Sequence, residues 1–131
     1  MPRPDDLKYT KDHEWIRILD KTRAEIGITD YAVKQLNDIV YVDLPEINDL
    51  AEKDQPFAEV ESVKAVADIK APASGEVDEV NEEIGDNLDT LAKDPYGAGW
   101  LARITMSNHP ADLADLLDRA AYDKYVASLD D

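Results

Sequence analysis

The sequence of 131 residues contains no cysteine. This absence excludes a disulfide framework, a cysteine-ligated zinc site and a thiol nucleophile. The two histidines, His13 and His109, lie far apart and match no metal-ligand or catalytic motif, and there is no glycine-rich phosphate loop. We therefore expect neither a metal site nor catalytic residues. If the protein takes part in sulfur chemistry, an attached group must supply the sulfur.

Basic residues are also scarce, because 14 lysines and arginines stand against 30 aspartates and glutamates, giving a formal net charge of −16. Nucleic acid is therefore not an expected partner, since phosphate binding needs clustered basic side chains. Two interpretations of the negative charge remain open. The charge serves solubility alone, or it forms an acidic surface that speeds docking onto basic faces of larger proteins.

Long hydrophobic runs are absent, and no stretch approaches the roughly 18–20 apolar residues of a membrane-spanning helix. The N-terminal MPRPDDLKYT lacks the apolar centre of a signal peptide. With a hydrophobic fraction of 44%, the length predicts one domain over residues 1–131, with a core at about 7–106 and an extension at 107–129. We expect a monomer in a bacterial or archaeal cytoplasm.

Alternating and β-branched segments predict a mainly β fold. HEWIRIL (13–19) and AEIGI (24–28) are separated by a polar turn and predict a β-hairpin. ITDYAVKQLND (28–38) breaks the alternation and predicts a short helix capped by Thr29 or Asp30. Further strands are predicted over 38–45, 55–62, 65–72, 75–81 and 99–106.

The C-terminal segment 107–129 changes to helical spacing, with Leu113 and Tyr125 among its apolar positions. Pro110 stands where a helix tolerates proline in its first turn. We predict one or two short helices packed on the sheet. The acid-rich stretch GEVDEVNEEIGDNLD (75–89) lacks the ligand spacing of a calcium loop, so we predict a solvated acidic face there.

The segment EVESVKAVADIKAP (59–72) raises the most specific question, because Lys64 interrupts two predicted strands. A charged lysine in a tight, half-apolar turn has two explanations. Its amine is solvated at the tip of a loop, or the amine is there to be chemically modified. A protruding hairpin is accessible to a modifying enzyme.

Several motifs point beyond this hairpin, namely YTKDHEW (9–15), GITDYA (27–32), DIVYVDLPE (38–46), VESVKAVADI (60–69) and DPYGAGW (94–100). Together, and in this order, they closely resemble the glycine cleavage system H proteins. The resemblance covers nearly the whole chain. A modified-lysine hairpin occurs in several carrier proteins, but the HEW, ITD and DPYG motifs separate this family from the others.

The resemblance implies a lipoyl/biotinyl-type β-sandwich (barrel-sandwich hybrid) with a short helix after the first hairpin and one or two C-terminal helices. It implies that lipoate is joined to Lys64 by an amide bond and that the protein is a carrier, not an enzyme. The implied role is to carry the aminomethyl group of decarboxylated glycine from glycine decarboxylase (P protein) to aminomethyltransferase (T protein), and electrons to dihydrolipoyl dehydrogenase (L protein). Glu61 matches the position that the lipoate-attaching enzyme reads.

By the same resemblance, the loaded arm folds back into a cleft bordered by His13, Glu14, Ile28 and the residues from Ala65 to Asp68. Glu14 or Asp68 would accept hydrogen bonds from the arm's ammonium group, and Ile28 would cover its hydrocarbon stem. Simpler interpretations remain open, namely ordinary surface carboxylates for Glu14 and Asp68 and core packing for Ile28. An equal alternative for His13 is a structural partner of the strand that contains Trp15.

Two further positions concern the backbone. Asn48 stands where the family commonly has glycine after LPE-x, and asparagine still suits a turn with positive φ. Gly75 is expected to serve a turn, since glycine permits backbone geometry that other residues resist.

Three other functions remain open. A lipoyl or biotinyl module of another enzyme complex would share the hairpin, although biotin carriers usually flank their lysine with methionines rather than Val63 and Ala65. An H-like relay would serve other enzymes or sulfur metabolism with the same fold. From a different class, the domain could be an unmodified module whose acidic face docks a basic partner.

Overall fold

Two antiparallel β-sheets form the framework of the computed structural model, which describes residues 3–109 and 111–129. The larger sheet has six strands in the order β1-β2-β3-β9-β8-β5, and the smaller has three in the order β4-β6-β7. The described strands are β1 (Leu7–Tyr9), β2 (Glu14–Ile18), β3 (Arg23–Ile28), β4 (Ile39–Asp43), β5 (Leu50–Ala51), β6 (Pro56–Ser62), β7 (Val66–Lys70), β8 (Gly75–Val80) and β9 (Ala102–Met106).

The mainly β prediction is confirmed, because each predicted strand has a counterpart within a few residues of its expected bounds. The first predicted hairpin is formed by β2 and β3, which pair from Glu14 opposite Ile28 to Ile18 opposite Ala24. The short strands β1 and β5 were not predicted. Strands of three and two residues are too short to produce a recognisable alternation.

Side chains that alternate along the strands fill the space between the two sheets. Val42, Val60 and Ile69 of the smaller sheet are buried, and Ile28 of the larger sheet belongs to the same apolar cluster. The intervening side chains of the smaller sheet are exposed, as Tyr41 is at 55%. The smaller sheet therefore has one face in the core and one face in water.

Both edges of the smaller sheet are irregular. In β4 the register shifts between Ile39 and Tyr41, which leaves Val40 as an extra, half-exposed residue of a β-bulge. At the opposite edge, the N–H of Lys70 in β7 donates to the carboxylate of Glu14 at 3.4 Å. This contact connects the β7 edge of the smaller sheet to the start of β2.

The predicted short helix is α1 (Asp30–Leu36). Its cap is Thr29, whose side-chain oxygen accepts the N–H of Ala32 at 3.2 Å, so the capping prediction is confirmed. Val33 and Leu36 are buried in the core shared by the two sheets. The helix therefore closes one end of the apolar space between the sheets.

Two short helices within and after the acid-rich stretch were not predicted, although most of its carboxylates are exposed as expected. The acid-rich stretch leads into α2 (Glu83–Asp86), which is followed by α3 (Asp89–Lys93). Ile84 and Leu91 are almost fully buried, while most of the carboxylates beside them remain exposed. The segment thus anchors itself by two apolar residues and turns its charges outward.

The C-terminal segment forms a 3₁₀ turn (Ala111–Leu113) and the helix α4 (Arg119–Leu129). Tyr122 of α4 stacks on Tyr9 of β1 with ring centroids 4.7 Å apart, so the predicted packing of a C-terminal helix on the sheet is confirmed. Pro110 lies outside the described residues. In the described part of the chain, no helix has the length and apolar character needed to cross a membrane.

Asn48 has a φ of 81°, as its predicted turn requires. Gly75 has no positive φ, since none of the described glycines has one, and its predicted role in a turn is wrong. It begins β8, and a Cβ there would lie 2.3 Å from the backbone oxygen of Thr105 in β9. Glycine is needed at this position because the two strands approach closely, not because the backbone turns.

Candidate functional site

Lys64 lies at the tip of the hairpin that joins β6 to β7. The two strands pair up to Glu61 and Val66, leaving a tip of only a few residues. Ser62 holds this tip in shape through Ala65. The N–H of Ser62 donates to the carbonyl of Ala65 at 2.7 Å, and the N–H of Ala65 donates to the Ser62 hydroxyl oxygen at 3.1 Å.

A third hydrogen bond fixes the tip from the side. The N–H of Val63 donates to the carbonyl of Asp38, just before β4, at 3.0 Å. The side chain of Val63 is 75% exposed, and Lys64 and Ala65 are exposed as well. Within the described residues, no ion pair or hydrogen bond engages the amine of Lys64. The hairpin therefore combines a stiff backbone with an accessible lysine amine.

The exposed face of the smaller sheet carries acidic residues beside the tip. Glu61 is exposed and lies across the strands between Tyr41 of β4 and Val66 of β7. Farther from the tip, Asp68 is exposed in a row with two other carboxylates, those of Asp43 and Glu59. Asp68 is thus an exposed carboxylate on this outer face.

Glu14 behaves differently, because it is only 1% exposed at the start of β2. The interpretation of Glu14 as an ordinary surface carboxylate is therefore wrong. Its Oε1 accepts the hydroxyl proton of Thr10 at 2.6 Å, and its Oε2 has the 3.4 Å contact with the N–H of Lys70. Burial raises the pKa of Glu14 to about 7, and the Thr10 hydrogen bond opposes that rise.

The free edge of β7 connects the lysine tip to Glu14. Ser62 and Ala65 form a hydrogen-bonded pair of the hairpin. In an antiparallel pair, every second residue of β7 after Ala65 is then hydrogen-bonded to β6. The residues between these point their backbone N–H groups toward the open edge of β7. Val66, Asp68 and Lys70 belong to this second set, and the Lys70 N–H indeed meets Glu14. An edge of unpaired backbone groups thus leads from the tip toward the Glu14 carboxylate.

The other two expected border residues have structural surroundings. Ile28 is 1% exposed and packs in the core, which supports the packing interpretation, and it lies directly across from Glu14. His13 lies 2.8 Å from the Tyr122 hydroxyl through Nδ1, and burial lowers its pKa. It therefore joins the start of β2 to helix α4, in agreement with a structural role.

Thr10 and Ser62 were not recognised from the sequence. Thr10 reaches Glu14 across a turn between two strands, and the first of these strands, β1, was itself not predicted. The spacing T-x-x-x-E before an aromatic strand was the only available signal. Ser62 directly precedes the exposed tip, where a hydroxyl that bonds locally to the backbone is typical of turns.

These features define a class of protein. Two packed sheets with an exposed lysine at the tip of a hairpin are the predicted lipoyl/biotinyl-type β-sandwich. A family model for the glycine cleavage H-protein matches residues 7–129. The chain belongs to this family, as the sequence motifs predicted.

Individual relatives agree with this assignment. A probable glycine cleavage system H protein of Pyrococcus furiosus is 48% identical over 123 residues, which cover 94% of this chain and 91% of that protein. A glycine cleavage system H protein of Herpetosiphon aurantiacus is 46% identical, covering 94% and 92%. A crystal structure of the H protein from Mycobacterium marinum matches with a TM-score of 0.82 and 39% identity, covering 96% of this chain and 98% of that one.

Proposed function

We propose that this chain is the lipoyl-bearing shuttle of a glycine cleavage system, with lipoate joined by an amide bond to Nζ of Lys64. The observation that carries the proposal is the exposed, unengaged amine of Lys64 on a tip fixed by Ser62 and Asp38. An attaching enzyme needs an amine that it can reach and that reacts without first breaking an ion pair. The residues at the tip fit that requirement.

When bound, lipoate would supply a disulfide ring that takes up the aminomethyl unit at P protein, yields it at T protein and passes electrons to L protein. The chain's part is to hold the base of the arm still while its end moves among three enzymes. A tether on a rigid hairpin raises the effective concentration of its end at a docked partner to the order of mM. The absence of cysteine leaves no thiol on the chain that would trap the arm as a mixed disulfide.

The loaded arm would fold back along the open edge of β7. Lys64 and Asp68 are four residues apart, about 13 Å along a strand, which is of the order of a lipoylated lysine side chain. An arm of this length ends near Asp68, two residues before Lys70, so its ammonium group would lie between the Asp68 carboxylate and the Glu14 carboxylate that contacts the Lys70 N–H. Ile28 would support the cleft from within the core.

Access to Glu14 requires a small displacement, because the carboxylate is almost completely covered. The charged pair nearest to it on the surface is Lys70 with Asp12, whose charged atoms are 3.8 Å apart and whose side chains are 42% and 54% exposed. A contact of this length between solvated side chains contributes little to stability. Opening a path past it therefore costs little free energy.

The acidic outer face would guide docking. Asp43, Glu59, Glu61 and Asp68 lie together on the exposed side of the smaller sheet, next to the lysine tip. A partner active site with a basic rim would be attracted to this face before contact. Glu61, closest to the tip among these, would be the residue read by the lipoate-attaching enzyme.

We further propose that the chain acts as one domain and as a cytoplasmic monomer. The stacking of Tyr122 on Tyr9 supports treating the C-terminal extension as part of the same folded unit. The carrier would then present one lysine tip to each partner in turn, and it would not itself catalyse a reaction.

The mass of the intact protein after co-expression with a lipoate ligase tests the attachment. We expect one lipoyl increment that is lost in Lys64→Ala and retained in Lys21→Ala, a control in which the lysine lies exposed in the turn between β2 and β3. A biotin-sized increment, or none, would contradict the proposal. Glycine–bicarbonate exchange with P protein then tests the partner, and modified protein that fails there but serves another enzyme would establish the relay alternative.

A further inference from the structure

We infer that Thr10 is a positioning residue of the arm cleft, which fixes one oxygen of the Glu14 carboxylate and leaves the other toward β7 for a cationic group on the arm. The inference rests on the proposed function, since it concerns the same cleft. It assigns a role to a residue of the YTKDHEW motif (9–15) to which the proposed function gives none. It also states how the cleft distinguishes a charged arm from a neutral one.

Three hydrogen bonds join the two residues. The N–H of Thr10 donates to the Glu14 carbonyl at 2.9 Å, and the N–H of Glu14 donates to the Thr10 hydroxyl oxygen at 3.1 Å. The same hydroxyl donates its single proton to Oε1 of Glu14 at 2.6 Å. Because the hydroxyl both accepts and donates within one residue pair, it holds the Glu14 side chain in one orientation relative to its own backbone.

The turn between these residues reinforces that orientation. The N–H of His13 donates to the carbonyl of Thr10 at 3.2 Å, and His13 adopts a φ of 71°. A histidine in this left-handed region is uncommon and requires that its surroundings fix the backbone. The hydrogen bond between His13 and Tyr122 supplies such a constraint. Thr10 and Glu14 are therefore held at a set distance by the backbone as well as by the hydroxyl.

The second carboxylate oxygen has weaker surroundings. Oε2 receives only the long 3.4 Å contact from the Lys70 N–H among the described residues, although the side chain is almost fully buried. A buried carboxylate with one strong and one weak hydrogen bond is short of donors. A cationic N–H donor that reaches Oε2 therefore supplies a charge-assisted hydrogen bond to an oxygen that is short of donors.

The charges around Glu14 make this recognition selective. Burial disfavours the carboxylate, the neighbouring Asp12 acts in the same direction, and Lys70 opposes them. With a pKa of about 7, Glu14 is partly protonated at neutral pH when no arm contacts its carboxylate. A cationic arm end at Oε2 draws the proton off, whereas a neutral arm end does not. Retention of the loaded arm is therefore expected to strengthen as the pH rises through about 7.

The first test uses unlipoylated protein, so that its outcome does not depend on attachment of the arm. Thr10→Val removes the hydroxyl with almost no change in shape, and Thr10→Ser restores it. We expect the pKa of Glu14, measured by NMR of its labelled carboxyl carbon, to rise in the valine variant and to return in the serine variant. Thr22→Val, which removes an exposed hydroxyl bonded to Asp20, is the matched control.

The second test measures how fast protein loaded with the aminomethyl group releases formaldehyde at pH 6 to 8. We expect Thr10→Val to release it several-fold faster than the parent protein near pH 8, with Thr10→Ser close to the parent. An unchanged Glu14 pKa in Thr10→Val, or an unchanged release rate, would overturn the inference. If the parent protein never accepts lipoate, the proposed function fails, while the pKa comparison still decides the role of Thr10 at Glu14.

Discussion

The hydroxyl of Tyr122 lies 2.8 Å from Nδ1 of His13, which places the C-terminal helix in direct polar contact with the start of β2. The same hydroxyl is 2.7 Å from Oγ1 of Thr29, the cap of α1. One phenol therefore links α4, the first hairpin and the first helix. Because the group is buried, these hydrogen bonds contribute more than they would at the surface.

Removing this hydroxyl is expected to destabilise the fold. Tyr122→Phe should lower the free energy of unfolding by about 1–3 kcal/mol, because the buried Thr29 and the half-buried His13 each lose a hydrogen bond. Urea denaturation provides the measurement. Tyr125→Phe serves as the control, since its ring stacks near His13 but its hydroxyl has no hydrogen bond among the described residues. Equal midpoints for the parent and Tyr122→Phe would contradict the prediction.

The buried Glu14 is expected to make stability depend on pH. Its pKa is raised from 4.5 to about 7, so the folded state binds its proton more tightly than the unfolded state does. Stability contributed by the neutral group is thus complete below pH 4.5 and is lost as the pH rises to about 7. Glu14→Gln should remove this loss, and the variant should be more stable than the parent by up to about 3 kcal/mol at pH 8.

Denaturation of the parent and Glu14→Gln at pH 4 and at pH 8 measures the effect. The two proteins should have similar stability at pH 4, where the carboxyl is neutral in both states. Asp68→Asn is a control because Asp68 is exposed, and it should show no comparable difference. If the free energies of unfolding of the parent and Glu14→Gln differed by the same amount at both pH values, the glutamine would act through something other than charge.

Ser62 is expected to control the stiffness of the lysine tip. Ser62→Ala removes a hydroxyl that accepts the Ala65 N–H at 3.1 Å and contacts the Ala65 carbonyl at 3.2 Å. Loss of about 1 kcal/mol of local stabilisation should raise amide hydrogen exchange at residues 63–65 roughly fivefold. Ser128→Ala near the end of α4 should leave exchange at the tip unchanged. No change at the tip in Ser62→Ala would show that the backbone hydrogen bonds of Ser62 and Val63 fix the tip without the hydroxyl.

Substitution by alanine at two glycines is expected to change stability in opposite directions. Gly75→Ala would place a methyl group 2.3 Å from the Thr105 carbonyl oxygen, and we expect a loss of more than about 2 kcal/mol. Gly85→Ala in α2 meets no atom within 4 Å and should stabilise by about 0.5–1 kcal/mol, because alanine favours helix more than glycine does. Thermal unfolding of both variants checks the signs, and a tolerated Gly75→Ala would mean that β8 and β9 separate easily.

The elements that could be predicted from the sequence are those with local signals. β-Branched runs located the longer strands, Thr29 was recognised as a helix cap, and Lys64 was placed at the tip of a hairpin. These features depend on neighbours a few residues away. Local patterns therefore sufficed for the longer strands, the first helix and the position of Lys64 at a hairpin tip.

The features that could not be predicted depend on distant contacts. Glu14 opens a strand and looks like a surface residue, but its pairing with Ile28 turns it toward the core. Helices α2 and α3 depend on Ile84 and Leu91 packing beneath a stretch whose composition is dominated by acidic residues. No local periodicity of the sequence predicts either arrangement, because the packing partners lie on other strands.

The bulge at Val40 has a consequence for self-association. An exposed edge strand can pair with a strand of another chain, and repeated pairing leads to fibrils. Here Val40 interrupts one margin of the smaller sheet, and Glu14 occupies part of the other through Lys70. Carboxylates such as Asp43 and Asp68 repel a second copy at both margins. Concentrated solutions of the protein should therefore resist polymerisation even though the small sheet is not closed into a barrel.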